Sequence, residues 1–250
     1  MTLPGGIAAE RHSARDARAY DLAVEAVGAS SLDPLAKLEA FPRFATKRSL
    51  ARFLVKAELF QKALPVAGSI VECGVFNGAG LFSWAQLSTI YEPVNHTRKV
   101  IGFDTFSGFP SVADADHGGG HVWAEGDVRG DELDALRLSV EKLDAERPLG
   151  HVPQVELVHG DFCETGPRYV RENPHLVVAL LYLDFDLYEP TKVALETFLP
   201  RMPKGALLCF DELNCANFPG ETQAALEAVG LSQLALRRFP IDPWVSYAEL

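Results

Sequence analysis

Two apolar, strand-forming runs, residues 177–183 and 206–210, each end directly in acidic side chains: Asp184 and Asp186 behind the first, Asp211 and Glu212 behind the second. The stretch between them, 187–205, has the length of one crossover helix, so the runs read as neighbouring parallel strands whose carboxyl ends open on one edge of a sheet. Carboxylates gathered on one edge repel. A bound divalent cation, a proton held by one of the group, or a cationic ligand relieves that repulsion.

The alternation recurs along the chain: strand 69–73 and helix 81–90, strand 99–103 and a long polar insertion, strand 155–158 and helix 167–172, then helices 191–199 and 221–229 behind the two acidic-ended strands. Repeated strand and helix imply a mostly parallel sheet covered on both faces, an α/β fold. Residues 234–239 and 244–248, around Pro240 and Pro243, predict two short strands joined in a final hairpin. Ahead of the sheet, residues 8–64 carry helical spacing, as in Leu50, Phe53, Leu54, Ala57 and Phe60 behind the cap candidates Thr46 and Ser49. The expected organisation is a helical extension over 1–64, serving as cap or oligomer contact, and one larger domain over 65–250.

A formal net charge of −11 disfavours a nucleic-acid backbone or an anionic membrane as partner. The basic pairs Lys47-Arg48 and Arg237-Arg238 read as solvated faces. Cys73, Cys163, Cys209 and Cys215 show no CxxC pairing and no zinc spacing, which fits reduced core thiols in a cytoplasmic protein. Residues 1–6 lack the basic and apolar pattern of a leader, and no apolar run is long enough to span a bilayer.

The first strand ends in Glu72-Cys73-Gly74, with Asn77, Gly78 and Gly80 following, a turn that brings backbone close to a ligand and aims a helix N-terminus at it. The spacing is neither the GxGxxG of dinucleotide folds nor a P-loop. Glu72 suits an ammonium or sulfonium group rather than a pyrophosphate. Asp104, ending the second strand, stands where a ribose would lie, and Asp161-Phe162 behind the third could bond and stack an adenine. Each acid alone reads equally as a turn or cap residue; in register they point to S-adenosylmethionine. Residues 105–126, with Asp114, Asp116, His117, three glycines and His121, read either as a mobile loop above the strand edge or as a solvated insertion without a role.

The blocks Val71-Glu72-Cys73-Gly74-Val75, 102–110 (GFDTFSGFP) and 184–191 (DFDLYEPT) resemble the macrocin O-methyltransferase family, whose members methylate sugar hydroxyls of antibiotics and related natural products. The resemblance implies a class I methyltransferase fold with a seven-stranded sheet. It implies S-adenosylmethionine held by Glu72, Gly74, Asn77, Gly78, Asp104, Thr105, Asp161, Phe162 and Asp184. It further implies a divalent ion, Mg2+, on Asp184, Asp211 and Glu212, with Asp186 as general base; the family's second acid of the Asp211 pair is usually aspartate, here Glu212. The implied acceptor is a glycosylated natural product or nucleotide sugar, and the implied assembly a homo-oligomer. A catechol-type aromatic diol and a silent, nucleoside-binding oligomer are the alternatives. His117 or His121 is a competing base, and Tyr188 and Glu189 are candidates for orienting substrate.

Overall fold

The computed structural model describes residues 14–250; residues 1–13, part of the expected extension, lie outside the described residues. The chain divides into two compact units, Met1–Leu54 and Val55–Leu250. The boundary therefore falls inside a helix, where the sequence placed it after residue 64. In the first unit α1 (Ala14–Ala29) is followed by the short α2 (Pro34–Glu39) and α3 (Phe41–Phe44). Asp33 caps α2 by accepting the Ala36 N–H at 3.0 Å, with Pro34 in the first turn where its missing N–H costs nothing. Thr46 accepts the Ser49 N–H at 3.1 Å at the start of α4 (Lys47–Ala63), the cap the sequence predicts.

The second unit is a seven-stranded sheet in the order β3-β2-β1-β4-β5-β7-β6. Its strands are β1 (Ser69–Cys73), β2 (Val100–Asp104), β3 (Val155–His159), β4 (Val178–Leu183), β5 (Leu207–Phe210), β6 (Arg237–Phe239) and β7 (Asp242–Glu249). The first five are mutually parallel and β7 runs antiparallel to β5 and β6, the class I methyltransferase topology. Side chains alternate across the sheet, so Ile70 joins a core layer with Leu59, Leu81, Trp84 and Leu143, while Val71 and Cys73 join the opposite layer with Phe162, Leu195 and Phe198. The second half of α4, with α5 (Ala79–Tyr91) and α6 (Leu133–Glu146), covers the first face. The opposite face is covered by α7 (Phe162–Glu172), α8 (Tyr188–Phe198) and α9 (Pro219–Ala228). Arg98, 5 % exposed, ties the entrance of β1 to that of β2, donating to the carbonyls of Gly68 (2.8 Å) and Val66 (3.0 Å) and to Glu92 (2.7 Å).

Two elements depart from the expectation. Helix α6 lies in the stretch read as polar insertion, because its buried stripe is only Leu136 and Leu143 amid charged neighbours. Helix α7 begins at Phe162 rather than 167: Asp161 caps it by accepting the Cys163 N–H at 2.9 Å, leaving Pro167 in the interior. A proline there removes the N–H that would meet the Cys163 carbonyl, which is why the sequence favours a start at Pro167.

Candidate active site

Register places the functional residues. Cys73 of β1 pairs with Leu183 of β4, and Leu183 with Phe210 of β5, so Gly74, Asp184 and Asp211 leave the sheet side by side. The ladder continues one residue beyond the strands, with Asp184 N–H donating to the Cys73 carbonyl (2.8 Å) and Asp211 N–H to the Leu183 carbonyl (3.0 Å).

An open cleft lies over this edge, lined by Gly74, Asp104, Thr105, Asp161, Phe162, Asp184 and Asp186 among others. Six of the residues expected to hold S-adenosylmethionine thus line one cleft. Gly74 has φ +96°, and a Cβ there would fall 2.0 Å from the Asp184 carbonyl oxygen, so only glycine lets the turn lie against the β4 exit. Asp104 gathers that turn: its carboxylate accepts the N–H groups of Val75 (2.7 Å), Phe76 (2.9 Å) and Phe106 (2.7 Å). Asp161 lines the cleft while capping α7. The Phe162 ring packs on Phe103 (5.1 Å) and Phe185 (4.8 Å), making it a core residue at the cleft wall.

Glu72, Asn77 and Gly78 are not among the cleft-lining residues. Asn77 is exposed on the turn, and Gly78, at φ +79°, starts α5. Glu72 is 2 % exposed and belongs to a buried polar group in the first core layer. Lys56 Nζ lies 3.4 Å from its Oε1 and 3.5 Å from the Tyr182 ring centroid. Tyr182 in turn donates its hydroxyl to Asp211 Oδ1. Gly80 is glycine because a Cβ there would sit 1.7 Å from Glu72 Oε1. Burial raises the Glu72 carboxyl to about 7, against the lowering effect of Lys56.

At the ends of β4 and β5, Asp184, Asp186 and Glu212 bring carboxylate oxygens within 4.8 Å of one another. Of the expected ligand set, Asp184 and Glu212 are in this group, with Asp186 as its third acid. Asp211 follows the alternation of β5 back toward Tyr182. Asp186 adopts φ +63°, a left-handed backbone that costs a non-glycine residue of order 1–3 kcal/mol and is tolerated where surroundings over-determine it.

A fourth acid was not singled out from the sequence. Glu221, in the first turn of α9 and fully buried, accepts the Glu212 N–H at 2.9 Å. In the sequence it reads as an acid favoured by the helix N-terminus, and nothing local marks its burial. Glu212 Oε2 and Glu221 Oε2 are buried without a hydrogen-bond partner. Both carboxyls are pushed well above the ordinary range, by burial first and then by the charges of Asp211, Asp184 and Asp186. An all-oxygen donor set with orphaned buried oxygens fits a hard divalent cation.

The insertion 105–126 is seated rather than solvated. Phe109, Trp123, Leu187 and Phe218 form a small core of their own, and Trp123 Nε1 donates to the Asn217 carbonyl at 2.9 Å. His121 packs on Trp123 (3.9 Å between centroids), whereas His117 is exposed, and neither lines the cleft. Tyr188 and Glu189 also lie outside it; the Tyr188 hydroxyl donates to Glu227 at 2.6 Å.

A family model described as macrocin-O-methyltransferase (TylF) matches residues 48–227. Among solved structures, the crystal structure of CalS11, calicheamicin methyltransferase, is 33% identical with TM-score 0.91, over 100% of this chain and 99% of that one. An apo structure of CalS11, described as a TDP-rhamnose 3'-O-methyltransferase of calicheamicin biosynthesis, is 32% identical with TM-score 0.82, over 95% of each chain. The O-methyltransferase NovP, 22% identical over 80% of this chain and 79% of its own with TM-score 0.62, shares the fold. A search among curated proteins finds no significant match.

Proposed function

The chain belongs to the macrocin-O-methyltransferase family and is an S-adenosylmethionine-dependent O-methyltransferase; we propose that its acceptor is a hydroxyl of a deoxysugar carried on a nucleotide, made in the cytoplasm for a natural product. The observation that carries the acceptor class is the match to CalS11, which runs the whole length of both chains and whose described substrate is TDP-rhamnose.

Methyl transfer from a sulfonium needs a nucleophilic oxygen held in line with the carbon–sulfur bond. The cleft beside Gly74 takes the nucleoside, with Asp104 holding the turn and Asp161 and Phe162 also lining it. A sugar hydroxyl is a weak nucleophile and must lose its proton at or before attack. Asp186, lining the cleft and adjoining Asp184 and Glu212, is the group that accepts this proton. Asp184 and Glu212 would hold a magnesium ion, with Glu221 fixing the Glu212 backbone. An ion held there would supply positive charge beside the reacting hydroxyl, favouring loss of its proton. No helix among the described residues is long and apolar enough to cross a membrane, in keeping with a nucleotide-linked acceptor.

The test is methylation of TDP-rhamnose, free rhamnosides and catechols, followed by mass spectrometry with magnesium and with excess chelator. Turnover of the nucleotide sugar that chelator removes is expected. Turnover confined to catechols overturns the acceptor class, and full activity in chelator overturns the metal.

A further inference from the structure

We propose that Asp116, in the insertion between β2 and α6, is a positioning residue that holds the Asp184–Asp186 segment in its reactive geometry by capping α8 from outside. Asp116 is 1 % exposed and lies on a short 3-10 turn, Asp114–Asp116. Its Oδ1 accepts the Tyr188 N–H at 2.6 Å and its Oδ2 the Ala113 N–H at 2.8 Å. Tyr188 is the first residue of α8, and Leu187, the residue at the local cap position, has no side chain able to cap. Helix N-terminal N–H groups need an acceptor, and a carboxylate meets both the hydrogen bond and the helix dipole. Asp116 supplies from 72 residues away what the local sequence omits.

Asp186 lies two residues before that N–H, in the left-handed conformation that persists only when its surroundings hold it. The next helix along the edge is shaped around the same contact. Gly220 in α9 is glycine because a Cβ would fall 2.1 Å from Asp116 Oδ1, and the following residue is Glu221, which holds Glu212. Asp116 thus sits where the helices behind both acidic loops begin. The insertion that carries it also lines the donor cleft through Thr105, Gly108 and Phe109. One segment therefore touches the nucleoside cleft at one end and fixes the acidic edge at the other. The role rests on Asp186 being the base of the proposed reaction.

The experiment compares wild type, Asp116→Ala, Asp116→Asn and Trp123→Phe for kcat, KM for S-adenosylmethionine, thermal midpoint, and hydrogen exchange over 184–191. Trp123→Phe loosens the same insertion while leaving the Asp116–Tyr188 hydrogen bond in place. Asp116→Ala is expected to speed exchange over 184–191 and lower kcat about 100-fold, the cost of a displacement of order 1 Å, with KM within about threefold. Asp116→Asn keeps one of two acceptors and is expected to lose about tenfold; it carries the test alone if the alanine variant does not fold. Trp123→Phe is expected to lower the midpoint while leaving kcat within about threefold of wild type. Unchanged exchange over 184–191, or a kcat loss in Trp123→Phe as large as in the Asp116 variants, overturns the proposal. Exchange needs no acceptor and kcat is read on whichever acceptor wild type accepts, so failure with TDP-rhamnose counts against the acceptor reading alone.

Discussion

Glu72 and Glu212 are both buried at strand ends of one sheet, yet the first has a cation beside it and the second is surrounded by its own sign. At Glu72, burial pulls the carboxyl toward its neutral form while Lys56, 3.4 Å away, pulls it back. At Glu212, burial and the charges of Asp211, Asp186, Asp184 and Glu221 all act in the same direction. A buried acid with a countercharge beside it is offset, in part, from within the protein. One whose charged neighbours all worsen its cost is arranged for a cation that arrives later. Acidity at a strand end therefore does not mark a site; acidity left uncompensated does.

The largest effect should come from the uncompensated side. Asp184→Ala is expected to lower turnover about 10³-fold while calorimetry shows S-adenosylmethionine binding kept within a few-fold. Substantial residual activity would move the chemistry away from this edge. On the compensated side the loss should be in folding instead: Lys56→Met strands the Glu72 charge and is expected to cost about 3–5 kcal/mol in urea denaturation. Adding Glu72→Gln to that variant should restore most of it, and a failure to do so would mean that Lys56 serves something besides Glu72.

The pH dependence sharpens the contrast. Below 4.5, the ordinary value, folded and unfolded chains both hold the Glu72 proton, and between 4.5 and about 7 only the folded chain does. Stability from this group is thus full below 4.5 and falls as pH rises through about 7, by on the order of 3 kcal/mol. Glu72→Gln should flatten that slope when thermal or urea unfolding is followed from pH 4 to 8; an unchanged slope would place its origin elsewhere. The smallest effect has the opposite sign from Lys56→Met. Glu221→Gln keeps an oxygen for the Glu212 N–H and removes a carboxyl whose ionisation the fold opposes, so the metal-free protein should gain about 1 kcal/mol by the same denaturation. A loss there would show that the two regions do not differ as described.

Much of the fold was readable from residue pattern. Apolar runs followed by helical stretches located β1 to β5 within a residue or so, because burial on both faces imposes a continuous apolar signal. Helix α6 escaped since its stripe is narrow, and the true start of α7 since Pro167 outweighed the Asp161 cap. Gly74, Asp104, Asp161 and Asp184 could be placed on one cleft edge because strand ends are visible in sequence and parallel register carries them there.

The sequence by itself determined the layered sheet, the edge on which polar chemistry gathers, and the family, since periodicity and short motifs are local properties of the chain. Only the tertiary structure decided which acids meet one another. Glu72 turned out to face Lys56, Asp211 to meet Tyr182, Glu221 to reach back from α9 to Glu212, and Asp116 to arrive from a distant segment. The charge state and duty of a carboxylate depend on what stands within a few ångströms of it, and in a parallel sheet those neighbours come from helices and loops tens of residues away.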